Sequence, residues 1–456
     1  MKINKILKEC KIGDSVQVSG WITTCRKQKN ISFIKCNDGT TTEGIQLIWE
    51  EVNAEKQNKL QTGSSISVCG ILVESPAKGQ DVEVKVDTIN ILGTADPDEY
   101  PLAKTRINLE TMRGFLHLRF RTNTFRSVFK IKSGISLATH NFFANEDFLH
   151  LDPNIITLNE CEGGAGVFQV TENDLSQVNK LPIKEGKYLW DKDHFNKPVY
   201  LTVSSQLQLE AIACALGGVY TTNKSFRSEH SCSTKHLSEF THLEIEDIFN
   251  TMEDLMDIGE RYIKFVSKYI LENLLTEVES LNKFVSKGIT ERIKTIMNAK
   301  FHRITYNDAI QIVQESTIKD KPLMGDDLNS ESENYLTEYF KGSVFVTHWP
   351  INIKSFYMKQ SENNTCESFD LLMPYKIGEL IGGSMREDNY DKLLSMMKQK
   401  NVDDDKLKFY TDLRKFGTVP HGGFGLGMDR LCMLFTGMEN IKDVIPFPVQ
   451  YQNCEF

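Results

Sequence analysis

Zinc ligation, disulfide stapling and membrane spanning each need a pattern that these 456 residues lack. None of the ten cysteines forms a CxxC pair, and none stands near a histidine at finger spacing. That excludes the common structural zinc sites. A chain this long buries a large core without covalent staples, so the cysteines read as reduced, mostly buried thiols of a cytosolic or organelle-matrix protein. No run of ~18 apolar residues occurs, and no membrane helix is expected. The opening MKINKILKECKIGDSVQV has no apolar stretch with a cleavage site and is not Arg- and Ser-rich, so a cytoplasmic location is expected. Basic charge is scarce too. Asp and Glu number 62 against 53 Lys and Arg, for a net charge of −9. Coating of nucleic acid by bulk charge is thereby excluded, while a local basic face is not.

The rest of the composition, 40% hydrophobic and 25% charged, is that of an ordinary globular protein, with length for two to four domains at ~150 residues each. Val82, Val84 and Val86 alternate with Glu83 and Lys85, the period-2 pattern of a strand with one buried face. Short apolar runs precede it at Val16–Ile22, Ile31–Ile34, Ile45–Ile48 and Ile66–Val68. Turn residues part them: Asn37-Asp38-Gly39, Gly63 and 77–80. Five strands in about 80 residues suit a small closed barrel such as the OB fold, a pattern that other small barrels share. The boundaries expected are 1–95 for the barrel, 96–118 for a linker and 119–456 for a second domain. Within the second domain, Met252, Leu255, Met256, Tyr262, Ile263, Val266 and Ile270 recur at helical steps, opening a helical insertion over about 250–340. Strands, helices, then strands again give an α+β class with a mostly antiparallel sheet flanked by helices.

Three clusters could carry chemistry. Arg227 and Glu229 lie two apart, so on a strand they share a face; the pair could hold a phosphate and an exocyclic amine, or could be a surface ion pair. In Gly378-Glu379-Leu380-Ile381-Gly382-Gly383-Ser384-Met385-Arg386, the glycines allow close backbone approach. Glu379 suits a hard cation, and Arg386 a carboxylate or carbonyl; a plain bulge or turn is the other reading. Gly422-Gly-Phe-Gly-Leu-Gly427-Met-Asp429-Arg430 opens the last helix. It is not a dinucleotide loop, because no βαβ unit or acidic residue ~20 positions on accompanies it. A glycine-rich strand ending in an arginine fits close packing on a flat ligand.

In this order, behind a barrel, the clusters resemble the class II aminoacyl-tRNA synthetases of the aspartate/asparagine/lysine subgroup over nearly the whole chain. Within it the chain is most similar to the asparagine enzymes, through Cys161-Glu-Gly-Gly-Ala-Gly-Val-Phe168, Glu239-Phe240, Gly378–Ser384, Pro322–Leu328, Lys354–Met358 and Asp443–Pro448. The resemblance implies attack of an amino-acid carboxylate on the α-phosphate of ATP, then transfer of the acyl group to tRNA. Such chemistry needs charge stabilisation and positioning rather than a protein nucleophile.

By resemblance, Arg227 bridges the α-phosphate and the amino-acid carboxylate. Glu229 reads the adenine amino group, Phe240 and Arg430 sandwich the adenine, and His236 meets the γ-phosphate. Glu379, with Asp370, holds Mg²⁺. Glu162 and Gln206 contact the substrate ammonium. Glu244 accepts from the asparagine NH₂ while Arg386 donates to its carbonyl. Leu209 stands where aspartate enzymes carry a lysine, and losing that cation argues against an anionic side chain. Arg26, Phe33 and Gln46 match anticodon-contact positions; the other reading of Phe33 is a barrel-core residue. The implied partners are ATP, L-asparagine and tRNA(Asn), in a homodimer. An aspartate enzyme and a non-catalytic tRNA-binding paralogue are the alternatives, the latter opposed by the presence of Arg227, Arg386 and Arg430. Departures from the family pattern are His230, Lys235, His348, one extra residue between Asp370 and Glu379, a shifted Pro153, and Val449 in place of an arginine.

Overall fold

The computed structural model describes every residue except 29, 51–53, 77–78, 103–106, 159–165 and 404. Two compact units emerge, one of residues 1–130 with 276–287, the other of 131–275 with 288–456.

In the first unit the alternating runs become strands β1 (Ser15–Gln28), β2 (Ile31–Asn37), β3 (Ile45–Trp49), β4 (Ser65–Glu74) and β5 (Val82–Gly93). They close in the order β1-β2-β3-β5-β4. The inward positions, among them Val18, Ile34, Leu47, Val68 and Val84, form one core. Helix α1 (Ile3–Glu9) adds Ile3 and Ile6 to it, an i, i+3 pair on one helix face. The outward set includes Arg26, Phe33 and Gln46, so Phe33 is not a core residue; Ile34 takes that role. The segment read as a linker carries two short helices, Leu109–Arg113 and Leu116–Arg119.

The second unit is built on eight strands: β6 (Leu149–His150), β7 (Val219–Phe226), β8 (Glu239–Ile248), β9 (His302–Thr305), β10 (Val344–Thr347), β11 (Ser368–Met373), β12 (Gly378–Met385) and β13 (His421–Gly427). Their order is β9-β10-β11-β12-β13-β8-β7-β6, antiparallel except for β9/β10 and β7/β6. The stretch read as a helical insertion therefore also supplies an edge strand, β9. Helices α2 (Gln206–Leu216), α3 (Met252–Asn273) and α4 (Met428–Thr436) accompany this sheet. Helix α3 buries the residues predicted from its spacing and starts in a capping box, Thr251 with Asp254.

The cysteines depart from expectation. Of the nine described, only Cys36, Cys366 and Cys432 are buried. Cys69 is exposed because strand alternation turns it outward between Val68 and Gly70. No helix among the described residues is long and apolar enough to cross a membrane.

Candidate active site

The glycine-rich strands make a flat floor. Gly425 of β13 pairs with Glu244 of β8 on one side and Gly382 of β12 on the other. A Cβ on Gly425 would lie 2.5 Å from the His242 imidazole, so only glycine leaves open space there. Two cavities lie over this floor, of about 230 and 260 Å³. Arg227, His242, Glu379, Gly382 and Gly425 line both.

The first cavity gathers Arg227, Glu229, His236, Phe240, Glu379 and Arg430, six residues expected at ATP. Arg227 follows directly on β7 and its guanidinium stands 5.6 Å from the Phe240 ring centroid. Arg430 is held by α4: its Nη1 donates to the Glu379 carbonyl at 2.7 Å, and Nη2 lies 3.4 Å from His236 Nε2. Asp429 anchors that helix start, accepting from Lys132 Nζ at 2.5 Å and the Thr241 amide at 3.0 Å. Burial, then the nearby Arg430 charge, lowers the His236 pKa, keeping the imidazole neutral. Burial likewise lowers that of Lys235. The site carries cations and a stacking surface, the two things a nucleoside triphosphate needs.

The second cavity is lined by Gln206, Glu244 and Arg386 from the predicted set, with Glu246 and Lys354 beside them. Glu244 accepts from the Ser205 amide at 2.9 Å and from the Ser204 hydroxyl, at the N-terminus of α2. A helix N-terminus favours a carboxylate. Arg386 donates to both oxygens of Glu246, through Nε at 3.2 Å and through Nη2, and to Ser384 Oγ at 2.6 Å. Burial, reinforced by Glu210 and Glu244, raises the Glu246 pKa to about 8 against the pull of Arg386.

A β-bulge sets where Glu379 points. Leu371 pairs with Ile381 but Leu372 pairs with Glu379, leaving Leu380 unmatched. A bulge shifts the side-chain alternation by one, which returns Glu379 to the face of Asp370. A Cβ on Gly382 would meet the Glu379 carboxylate at 3.1 Å and that of Asp370 at 3.6 Å. Asp370 is not free in this arrangement: Lys354 Nζ lies 2.6 Å from Oδ2. Burial and Glu379 raise its pKa to about 7, opposed by Lys354. No group of three or more metal-type side chains occurs among the described residues. Two hard carboxylates nevertheless fit Mg²⁺, which is held by one or two carboxylates together with substrate phosphates.

Several residues escaped the sequence reading. Glu246 was within reach of it, since it lies two positions after Glu244 on a strand and so shares its face. Lys354, Asp429 and the fully buried Glu210 show no such pattern. Leu209 packs with Ala213 and Val219 and does not line the cavity; Gln206 is the residue of this helix that does. Glu162 lies outside the described residues. Of the divergent positions, His230 stacks on Tyr451 with ring centroids 4.5 Å apart.

A model of the class II tRNA synthetases (D, K and N) matches residues 108–451. The chain belongs to this family. A second model, of the OB-fold nucleic acid binding domain, matches residues 16–92. Like other class II synthetases the protein is an aminoacyl-tRNA ligase, and its relatives narrow the comparison. It is 41% identical to the asparagine–tRNA ligase of Parabacteroides distasonis over 100% of this chain and 98% of that one. It is 42% identical to the asparagine–tRNA ligase of Protochlamydia amoebophila over 98% and 96%. Among solved structures, the asparaginyl-tRNA synthetase from Pyrococcus horikoshii complexed with asparaginyl-adenylate superposes with a TM-score of 0.86 at 30% identity, covering 99% of this chain and 98% of that one.

Proposed function

We infer that this synthetase is an asparagine–tRNA ligase. The observation that carries its mechanism is Arg227, the one lysine or arginine among the described residues that lines both cavities. A cation at that junction can hold the amino-acid carboxylate and the α-phosphate at once. A carboxylate oxygen of asparagine attacks the α-phosphorus, the bond to the bridging oxygen breaks, and pyrophosphate leaves with its electron pair. Arg227 neutralises the charge that builds on the phosphoryl oxygens, and its fixed placement lowers the entropic part of the barrier. Phe240 and Arg430 hold the adenine, Glu229 accepts from its amino group, and His236 meets the γ-phosphate. Asp370 and Glu379 would hold Mg²⁺, which supplies charge neutralisation to the phosphates. In the second step a terminal ribose hydroxyl of tRNA attacks the acyl carbonyl and AMP departs.

Asparagine is favoured by the charge in the second cavity. Glu244 and Glu246 line it with Arg386, while Arg227 stands at its junction with the first cavity and Lys354 is paired with Asp370. An amide can accept from Arg386 and donate to Glu244, whereas a carboxylate has no proton to donate to Glu244 and would face it as a second carboxylate. Gln206, with Glu162, takes the substrate ammonium. The outward Arg26, Phe33 and Gln46 on the barrel suit splayed anticodon bases of tRNA(Asn); Arg26 already stands 4.7 Å from the Phe33 centroid. A homodimer in the cytoplasm completes the reading, supported by the family resemblance.

Amino-acid-dependent ATP–pyrophosphate exchange tests it. Asparagine should drive exchange and aspartate should not; if aspartate outcompetes asparagine, the assignment is wrong.

A further inference from the structure

Glu210 has no part in the mechanism above, yet it is the most heavily engaged side chain behind the second cavity. It is 0% exposed. Oε1 accepts from Gln206 Nε2 at 3.0 Å and from the Tyr410 hydroxyl at 3.0 Å. Oε2 accepts from Arg414 Nη2 at 3.0 Å and faces His421 Nε2 at 3.1 Å. Arg386 Nε stands 3.8 Å from Oε1. The flanking charges keep the carboxyl well below the usual carboxylate range despite its burial, Arg414 contributing most and His421 and Arg386 adding to it.

An ionised carboxylate only accepts hydrogen bonds. The amide of Gln206 therefore has one permitted orientation: its NH₂ must face Glu210. Its carbonyl oxygen is then turned away from Glu210, and no described residue donates a hydrogen bond to it. Gln206 lines the cavity. An amide free to flip would present NH₂ to the cavity half the time and repel an ammonium. One fixed by a buried anion presents an acceptor always.

We propose that Glu210 is a positioning residue for amino-acid recognition, locking the Gln206 amide so that its carbonyl oxygen receives the substrate ammonium. Glu210 touches no substrate; it acts through Gln206, with Arg414 and Tyr410 holding it in place. This rests on the reading of the site as one that activates asparagine. The two are separable, because exchange by the unaltered enzyme tests that reading alone.

The test compares asparagine with succinamate, the same molecule without its α-ammonium, by calorimetric or competition binding to the full-length protein. The unaltered enzyme should prefer asparagine by about 10- to 100-fold, the range of a hydrogen bond to a charged group. Glu210→Gln lets the Gln206 amide turn. It should cut the preference by about five-fold or more, leaving succinamate affinity and the KM for ATP within about two-fold. Gln206→Met should cut the preference to the share that Glu162 supplies, and Glu210→Gln added to it should lower it no further. Equal weakening of both ligands in Glu210→Gln would mean a general structural role and overturn the proposal, as would an unchanged preference. Should Glu210→Gln fail to fold, a wild-type preference in Gln206→Met overturns it alone.

Discussion

Replacing Arg227 by alanine removes the cation shared by the two cavities, and the expected loss can be worked from its surroundings. Lys235 and Arg430 line only the first cavity, and Lys354 and Arg386 only the second, so none can take over the junction. Deleting one preorganised donor to developing charge costs about 10²- to 10³-fold in kcat. Arg227 also binds both ground states, so kcat/KM should fall further, by about 10⁴-fold for a donor bearing full charge. Arg227→Lys keeps the charge but loses the planar fork, and should recover about ten-fold of that loss. The fold should be indifferent, since Arg227 is only half-buried and such positions move stability by about 0.5 kcal/mol. The assay is asparagine-dependent ATP–pyrophosphate exchange, with thermal denaturation and tRNA binding as controls. An exchange rate within about three-fold of wild type at unchanged Tm would remove Arg227 from the mechanism.

The barrel should be separable from activation: Phe33→Ala should lower charging of tRNA(Asn) by about 5- to 100-fold through lost base stacking, with pyrophosphate exchange unaltered; an equal drop in both would place Phe33 outside anticodon recognition. Chelation of Mg²⁺ should stop exchange, and Glu379→Gln should raise the Mg²⁺ concentration needed for half-maximal rate by about ten-fold or more; an unshifted requirement would mean that the phosphates hold the ion without this carboxylate. The raised pKa of Glu246 favours its protonated form in the folded protein relative to the unfolded chain, so its contribution to stability is complete below the ordinary glutamate pKa of about 4.3. It is lost as pH rises through about 8. Melting temperatures from pH 6 to 9 should fall for the wild type and fall less for Glu246→Gln, which mimics the protonated form; parallel slopes would assign the loss to another group.

What the sequence determined by itself was local. Strand alternation at Val82, Val84 and Val86 and the helical spacing from Met252 to Ile270 depend on near neighbours, and both elements form where that spacing puts them. The three clusters carried the family for the same reason, since each is a contiguous run of residues. The long-range pairings were decided by the tertiary structure alone. Nothing in the run from Asp370 to Glu379 announces the bulge at Leu380 that turns Glu379 to the face of Asp370. Asp370 meets Lys354 from 16 positions away, and Glu210 meets Arg414 and His421 from 204 and 211 away. No periodicity links residues that distant. They meet because burying a carboxylate is tolerable only where cations and donors converge on it, and that convergence exists once the sheet, α2 and the segment carrying Tyr410 and Arg414 have packed.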